Sequence, residues 1–370
     1  MFFVLIIIFL ILALYILLII RYAFGWDKIK EVSKSSIFLK VSVLISIRNE
    51  ENHIERLLNN LQSQIYPNDK IEFIIVNDHS TDNTLSLLEK YSLQNLKVLN
   101  MPKNKFGKKN AIRMAVSIAE GDIILASDAD CSFSPNWVQA MVSYFINDNV
   151  KLVSGPVNFN KKRGGVQALQ ALEFTSLIGS GAGAIGIQNA IFCNGANMAY
   201  RKDVFLQVNN FKSENVVSGD DVFLLHDIKA KYSNSIFFAK DKNAIVTTES
   251  TKNIRQFVNQ RKRWVAKASV YKDMDSIYSS YLVFIANLSF VFLFAILFFD
   301  FSFFQFFLLF YVIKFITDLL LLYPTLKFLS REDLVKWIFP FELFYSFYII
   351  LIVVLSFTKK FEWKGRMHKK

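Results

Sequence analysis

Residues 122–130 read DIILASDAD, an apolar run that ends in two aspartates one residue apart. Two comparable runs precede it, VSVLISI at 41–47 and IEFIIVND at 71–78. Stretches in which apolar residues recur at helical spacing separate these runs, so strand and helix alternate along this part of the chain. Near-continuous apolar strands between amphipathic helices predict an α/β domain with a mostly parallel sheet and helices on both faces.

Three carboxylates follow the ends of these predicted strands. Asp78 ends the run at 71–78, and Asp128 and Asp130 lie at the end of the run at 122–130. Because the carboxyl ends of parallel strands meet at one edge of the sheet, we expect these side chains to share a crevice. Two carboxylates separated by one residue suit Mg²⁺ or Mn²⁺, which also takes phosphate oxygens as ligands. No dinucleotide-binding loop or P-loop follows a predicted strand.

Other charged residues suit the transfer of a group from a diphosphate. Lys108 follows Gly107 at the start of a predicted helix and is placed to meet a diphosphate. Asp221, next to Asp220, opens another helical stretch and can accept a proton from an attacking hydroxyl. The guanidinium of Arg263 can bind phosphate through two nitrogens. A diphosphate substrate and a general base together predict group transfer.

The apolar excess of the chain lies at its two ends. The chain has 370 residues, of which 53% are hydrophobic and 38 are Phe. Residues 1–21 predict an uncleaved transmembrane anchor, and residues 277–357 predict a membrane region of about three hydrophobic segments. Between them, residues 38–268 form the predicted catalytic domain, and residues 358–370 form a basic tail. Basic residues after the anchor predict an integral protein of the cytoplasmic (inner) membrane with its catalytic domain in the cytoplasm.

The last hydrophobic segment leaves two alternatives open. A full crossing would place the basic tail outside, against the positive-inside rule. Either this segment is re-entrant or interfacial, with Pro340 breaking it, or the rule does not hold here. Lys314 and Asp318, one helical turn apart in the preceding segment, are predicted to neutralise each other, with a functional intramembrane site as the weaker alternative.

An ordered series of motifs resembles the family 2 glycosyltransferases. In chain order the motifs are VLISIRNEE, VNDHSTDNT, GKKNAI, DAD, GDD and QRKRW, and they fall within residues 41–268. The resemblance implies a GT-A fold, which is Rossmann-like. With the flanking apolar segments, the chain is similar to the membrane-anchored branch that includes processive polysaccharide synthases and ceramide-type glucosyltransferases.

The resemblance also implies a role for each matching residue. It assigns the nucleotide sugar to Ser46, Asn49, Glu50, Asp78, Lys108, Asp128 and Asp130. Of these, Asp128 and Asp130 are the implied ligands of Mg²⁺ or Mn²⁺. Asp221 is the implied catalytic base, and the implied acceptor and diphosphate residues are Asp220, Gln260, Arg263 and Trp264. Gly219 and Asp220 stand where many members have Thr and Glu, which is closer to the hyaluronan type and leaves the product open.

Each motif taken alone has a simpler explanation. Residues 78–84 suit a turn that caps a helix, and Asp220 with Asp221 suits a helix start. A basic segment such as QRKRW is ordinary shortly before a transmembrane run. The ordered set, rather than any single motif, favours the glycosyltransferase.

The expected function is an inverting transfer of a hexose or N-acetylhexosamine from a nucleotide sugar, a UDP sugar by resemblance, to a lipid or glycan hydroxyl. Transfer to a polyprenyl phosphate, which needs no base, remains an alternative. The other alternative is an inactive membrane protein that binds anionic lipid through its net charge of +12. Nucleic acid is not an expected partner, because the basic residues are spread along the domain without a recognition helix.

Overall fold

The computed structural model describes residues 2–32, 36–162, 164–208, 220–268 and 270–357, together with the backbone of 360–363 and 366–369. Its strands are β1 (Val41–Ile47), β2 (Ile71–Asn77), β3 (Leu96–Asn100), β4 (Ile123–Asp128), β5 (Leu152–Ser154), β6 (Val157–Phe159), β7 (Asn197–Arg201), β8 (Ile236–Phe238), β9 (Val246–Thr248), β10 (Lys360–Trp363) and β11 (Arg366–Lys369). Its helices are α1 (Phe2–Lys28), α2 (Ile54–Gln62), α3 (Thr84–Lys90), α4 (Lys108–Ile118), α5 (Trp137–Val142), α6 (Gly165–Gly186), α7 (Lys202–Val208), α8 (Asp220–Lys231), α9 (Ile254–Ala268), α10 (Met274–Ile296), α11 (Phe304–Phe328) and α12 (Val335–Ser356).

A seven-stranded sheet in the order β3-β2-β1-β4-β7-β5-β8 lies at the centre of the α/β domain. β3, β2, β1 and β4 run parallel, and β7 is antiparallel to both of its neighbours. β2 is buried along its whole length, and β1 and β4 nearly so, as their apolar runs predict. The predicted α/β fold with a mostly parallel sheet is therefore confirmed.

The register brings the predicted acidic edge together. Ser46 of β1 lies opposite Val76 of β2 on one side and opposite Asp128 of β4 on the other. Asp78 directly follows β2, and its N–H donates to the carbonyl of Ile47 at 2.8 Å. The ends of β2 and β4 therefore flank the end of β1, with their carboxylates on one edge of the sheet.

Four segments among the described residues are long and apolar enough to cross a membrane: Phe2–Lys28, Met274–Ile296, Phe301–Phe328 and Glu332–Ser356. The first segment continues beyond residue 21, where the predicted anchor ends. In this continuation Tyr22, Gly25 and Trp26 are buried inside the protein. Such segments indicate association with a membrane.

Helix α12 runs through Pro340 without a break, so the break at this proline that one of the two alternatives required is absent. Proline removes only one backbone donor, and neighbouring helices hold such a turn in place. Here the hydroxyl of Tyr311 on α11 donates to the carbonyl of Phe339 at 3.0 Å. Helix α12 contacts α6, α9, α10 and α11.

Lys314 and Asp318 contact each other as predicted, with Lys314 Nζ 2.8 Å from a carboxylate oxygen of Asp318. The cluster is larger than a pair, because Lys314 also forms an ion pair with Glu342 of α12. The hydroxyl of Tyr15 on α1 donates to Asp318. The cluster therefore joins α1, α11 and α12.

Helix α6 belongs to the catalytic domain by sequence but packs against α1, α11 and α12. Its residues 181–186 read GAGAIG, which has the letter spacing of a dinucleotide-binding motif but lies inside a helix rather than in a strand-to-helix turn. The glycines allow backbone contact instead: a Cβ atom on Gly183 would lie 2.2 Å from the carbonyl oxygen of Tyr22 on α1.

Candidate active site

Asp78 joins the end of β2 to the start of α4. The side chain is only 3% exposed, and its Oδ2 accepts from the N–H of Gly107 at 3.0 Å. Its Oδ1 lies 3.1 Å from Nδ1 of His79. Gly107 has a φ of +89°, a conformation that favours glycine, and Lys108 follows as the first residue of α4. Asp78 therefore holds the helix start that presents Lys108 to the crevice.

The loops after β1 and β2 are held together by the predicted nucleoside residues. Oδ1 of Asn49 accepts from the N–H of Thr81 at 2.8 Å, and the N–H of Glu50 donates to Oγ1 of Thr84 at 2.8 Å. Arg48, which the sequence reasoning left without a role, donates to the carbonyl of Asp78 at 2.8 Å. Asn49 and Glu50 thus shape the crevice wall beside Asp78, and Ser46 lies at the end of β1 beneath it.

Asp128 and Lys108 meet at the opposite side of β1. Nζ of Lys108 forms an ion pair with the carboxylate of Asp128, which is the last residue of β4 and is 40% exposed. The same Nζ lies 3.4 Å from the carbonyl oxygen of Gly195. The predicted diphosphate lysine and the first aspartate of the DAD motif are therefore in contact.

Asp130 is held from the other side of the crevice. Its Oδ2 accepts from Oγ1 of Thr248, at the end of β9, at 3.1 Å. Its carbonyl accepts from Nη2 of Arg56 at 2.9 Å. These contacts fix the loop after β4, which carries Asp130, the second aspartate of the motif.

The carboxylate of Asp221 is fixed at the first turn of α8. Its Oδ2 accepts from the N–H of Gly195 and its Oδ1 from the N–H of Val222, each at 2.9 Å. Nζ of Lys267 lies 3.9 Å from Oδ1. Burial raises the pKa of Asp221, but Lys267, Lys108 and the two N–H groups outweigh burial and hold this pKa below its ordinary value. The carboxylate is therefore ionised at neutral pH and able to accept a proton.

Gly195 connects the two acidic groups and was missed by the sequence reasoning. Its carbonyl faces Lys108 and its N–H faces Asp221. A Cβ atom at this position would lie 3.2 Å from Oδ2 of Asp221, so any larger residue would crowd the carboxylate. The available signal was a lone glycine between Asn194 and Ala196, directly before β7.

Helix α9 presents Arg263 to the same crevice. Burial lowers the pKa of Arg263, and the negative charges of Asp128 and Asp221 act on this pKa in the opposite direction. Lys267 follows Arg263 by one helical turn and reaches Asp221, a spacing that could have predicted its position.

Gln260 and Trp264 both contact Arg261, a residue that the sequence reasoning left unassigned. Oε1 of Gln260 accepts from Nη1 of Arg261. The Arg261 guanidinium lies 4.2 Å from the centre of the Trp264 ring, and the ring of Phe174 on α6 lies 6.1 Å away. Gly219 lies outside the described residues, and Asp220 begins α8 with its side chain outside them.

The residues present suit a hard divalent cation. Among the described residues, no group of three or more His, Cys, Asp and Glu side chains could hold a metal ion. Asp128 and Asp130, at the end of β4 and just after it, offer two carboxylates. A metal ion that binds both would keep other coordination positions for phosphate oxygens and water. Mg²⁺ and Mn²⁺ accept this donor set.

Residues 42–208 match the family model described as glycosyl transferase family 2. The matched range includes Ser46, Asp78, Lys108, Asp128 and Asp130. It ends before α8 and α9, so Asp221 and the QRKRW motif lie outside it.

Two curated relatives carry glycosyltransferase names. Glycosyltransferase AglE of Haloferax volcanii is 30% identical over 203 residues, which are 54% of this chain and 64% of that protein. Beta-monoglucosyldiacylglycerol synthase of a Nostoc species is 33% identical over 127 residues, which are 34% of this chain and 27% of that protein. The chain thus spans less than two thirds of either relative.

A solved structure shares the fold over nearly the whole chain. The mannosyltransferase PcManGT from Pyrobaculum calidifontis, in complex with GDP-Man and Mn²⁺, superposes with a TM-score of 0.63. The alignment covers 96% of this chain and 98% of that chain at 16% identity. At this identity the likeness concerns the fold, and the predicted GT-A fold flanked by membrane-length helices is confirmed.

Proposed function

We propose that this chain, whose residues 42–208 form a family 2 glycosyltransferase domain, transfers a hexose or N-acetylhexosamine from a UDP sugar to a lipid or glycan hydroxyl. One observation carries the proposal: Lys108 forms an ion pair with Asp128 and also reaches the carbonyl of Gly195, and the N–H of Gly195 donates to the carboxylate of Asp221. The residues for a diphosphate and the residue for a base therefore face one crevice.

The donor half of this crevice is formed by the strand ends. The loops that Asn49, Glu50 and Asp78 hold in place would bind the nucleoside, and Lys108 and Arg263 would bind the diphosphate. A Mg²⁺ or Mn²⁺ ion held by Asp128 and Asp130 would neutralise negative charge that develops on the leaving diphosphate. Lys108 would exchange its contact with Asp128 for a contact with phosphate.

Asp221 would act on the acceptor. Its carboxylate is ionised and is oriented by the N–H of Gly195, so it can take the proton from an attacking hydroxyl. One base and one leaving group suit a single displacement at the anomeric carbon, which inverts its configuration. An acceptor that is already anionic, such as a polyprenyl phosphate, would not need this base.

The acceptor side of the proposed crevice points to a lipid. Helix α9, which carries Gln260, Arg263 and Trp264, ends shortly before α10, the first membrane-length helix after the domain. Arg261 covers one face of the Trp264 ring, so the acceptor would use the remaining surface of the ring. The name of the Nostoc relative specifies a monoglucosyldiacylglycerol product, which supports a lipid hydroxyl as the acceptor.

The proposed site lies at the cytoplasmic face of the inner membrane. Lys28 ends α1 and Lys30 follows it, and basic residues flank the cytoplasmic ends of membrane segments. A cytoplasmic domain also has direct access to nucleotide sugars made in the cytoplasm.

The test uses the full chain purified in lipid nanodiscs and a panel of radiolabelled donors: UDP-glucose, UDP-galactose, UDP-N-acetylglucosamine and GDP-mannose. Acceptors are diacylglycerol, polyprenyl phosphate and short glycans. We expect metal-dependent labelling of a lipid or glycan hydroxyl from a UDP sugar. Labelling of polyprenyl phosphate alone, or of no acceptor from any donor, would contradict the proposal.

A further inference from the structure

A buried ion pair joins the motif helix α9 to α6. Arg261 of α9 is 2% exposed, and Glu173 of α6 is 5% exposed. Nε of Arg261 lies 2.9 Å from Oε1 and 2.7 Å from Oε2 of Glu173, and Nη2 of Arg261 also donates to Oε2. The two residues are 88 positions apart in the sequence.

Stability alone is a weak reason for such a pair. Removing two charges from water costs several kcal/mol per ion, and apolar residues of similar volume often stabilise a protein as well. What an arginine and a carboxylate add is direction, because the planar guanidinium binds the carboxylate through several nitrogens at fixed angles. The pair therefore sets the rotation of α9 against α6.

A residue of the membrane-length helix α12 completes the arrangement. The hydroxyl of Tyr348 donates to Oε1 of Glu173 at 2.8 Å. The ring of Tyr348 stacks on Phe257 of α9, with ring centres 5.6 Å apart. One carboxylate thus joins three helices, α6, α9 and α12.

Arg261 also touches the residues assigned to the acceptor side. Its Nη1 donates to Gln260, and its guanidinium lies 4.2 Å from the centre of the Trp264 ring. On the same helix, Arg263 precedes Trp264, and Lys267 lies 3.9 Å from Oδ1 of Asp221. A change in how Arg261 sits would therefore move the acceptor residues with it.

We propose that Glu173, Arg261 and Tyr348 form a positioning clamp that sets α9 at the angle needed for transfer to the acceptor. This inference rests on the proposed function. The clamp residues act through Gln260 and Trp264, and the clamp couples the acceptor side of the crevice to α12.

The experiment compares variants of the full chain in nanodiscs. Tyr348→Phe removes one hydrogen bond to Glu173 and keeps the ring stack, and Arg261→Lys keeps the charge and removes the planar contact. Arg255→Lys, at an exposed position of α9, is the matched control. For each variant we measure transfer (kcat and acceptor KM), hydrolysis of the UDP sugar by water, and thermal unfolding.

We expect Arg261→Lys to lower kcat/KM for the acceptor by about 10-fold to 100-fold, since small misplacements of reacting groups cost this much. Tyr348→Phe should have a smaller effect in the same direction. Hydrolysis of the donor should fall less than transfer in both variants, because Lys108, Asp128 and Asp130 lie on other elements and only Arg263 shares α9, and it should stay within about 2-fold in the control.

Two outcomes overturn the clamp while the parent chain is active: transfer and hydrolysis fall in parallel, or neither falls. If the variants unfold at a lower temperature but transfer and hydrolysis change to the same extent, the Glu173–Arg261 pair has a structural role only, and this result also overturns the clamp. A parent chain that transfers sugar to no acceptor overturns the proposed function, and the clamp with it.

Discussion

Single residues connect the two halves of the proposed reaction. Lys108 is shared between Asp128 and Gly195, and Gly195 in turn holds Asp221. The acids themselves could be predicted, because residues that follow parallel strands meet at one edge of the sheet. Gly195 could not, because its role depends on a loop returning from a distant part of the chain.

The first prediction concerns Asp221, the proposed base. Asp221→Asn should nearly abolish transfer while UDP affinity stays within about 3-fold, because the base acts on the acceptor proton and contributes little to donor binding. Transfer is followed with the radiolabelled donor and UDP affinity by titration calorimetry. Asp227→Asn, at an exposed position of the same helix, is the control. Transfer near the parent rate in Asp221→Asn would remove this residue from the reaction.

The two aspartates of the DAD motif make a second prediction. Asp128→Ala combined with Asp130→Ala should weaken UDP binding by about 10-fold or more with Mg²⁺ or Mn²⁺ present, because in the proposed site these carboxylates would hold a metal ion that binds the diphosphate. In the presence of a chelator the same variant should bind UDP about as well as the parent, since Lys108 is released from Asp128. Titration calorimetry with and without metal checks both values. Equal UDP affinity of the parent chain with and without metal would contradict the metal-binding role of Asp128 and Asp130.

Helices α6 and α9 make contacts that the sequence alone does not predict. The apolar pattern of α6 was assigned to the soluble domain, yet this helix packs among membrane-length helices. Helical periodicity predicts that such a helix is buried but leaves open what covers it. The Glu173–Arg261 pair, whose members are 88 residues apart, is invisible for the same reason.

Close packing of α6 on α1 leads to a stability prediction. Gly183→Ala would place a Cβ atom 2.2 Å from the carbonyl oxygen of Tyr22, so the two helices must separate. We expect a loss of about 1–3 kcal/mol, measured as a lower thermal unfolding temperature in nanodiscs. In the control Gly165→Ala, on the same helix, the added atom would lie 3.5 Å from the Trp337 ring, which is ordinary contact. Equal unfolding temperatures for both variants would refute close backbone packing here.

Helix α8, which carries Asp221, is tied to the start of α10. Nζ of Lys229 lies 2.7 Å from carboxylate oxygens of Asp273 and of Asp275. Nε2 of His226 lies 2.9 Å from the carbonyl oxygen of Ile191 and from the hydroxyl of Ser276. These contacts hold the proposed base against the first helix of the membrane region.

His226 makes this connection sensitive to pH. Burial lowers the pKa of His226 below its ordinary value of 6.5, against the effects of Ile191 and Asp273, which raise this pKa. The unfolded chain therefore takes up the proton at higher pH than the folded chain. The contribution of neutral His226 to the stability of the folded chain is therefore fully present above about pH 6.5. It is lost as the pH falls through the lowered pKa of His226 in the folded chain.

Thermal unfolding of the parent chain and of His226→Gln at pH 7.5, 6.5 and 5.5 checks this sign. The parent should lose more stability than the variant as the pH falls, because glutamine does not titrate, and the difference isolates this side chain from the carboxylates. Equal losses of stability in both proteins as the pH falls would exclude His226 as the source of the pH dependence.

At the scale of the whole molecule, the chain combines a GT-A domain with helices that suit a membrane. The α/β order was predictable because near-continuous strands and amphipathic helices alternate. The placement of α12 was not, since hydropathy predicts the length of an apolar segment and leaves its neighbours open. The structure places α6 and α9 against α12, next to the acceptor residues of the proposed crevice.

The stereochemistry of the product distinguishes a single displacement assisted by Asp221 from other routes. The full chain in nanodiscs is supplied with an α-linked UDP sugar that it uses and with the lipid or glycan acceptor that becomes labelled, and the anomeric proton of the product is read by NMR. A single displacement assisted by Asp221 predicts a β-linked product. An α-linked product, or free sugar as the only product, would contradict the account.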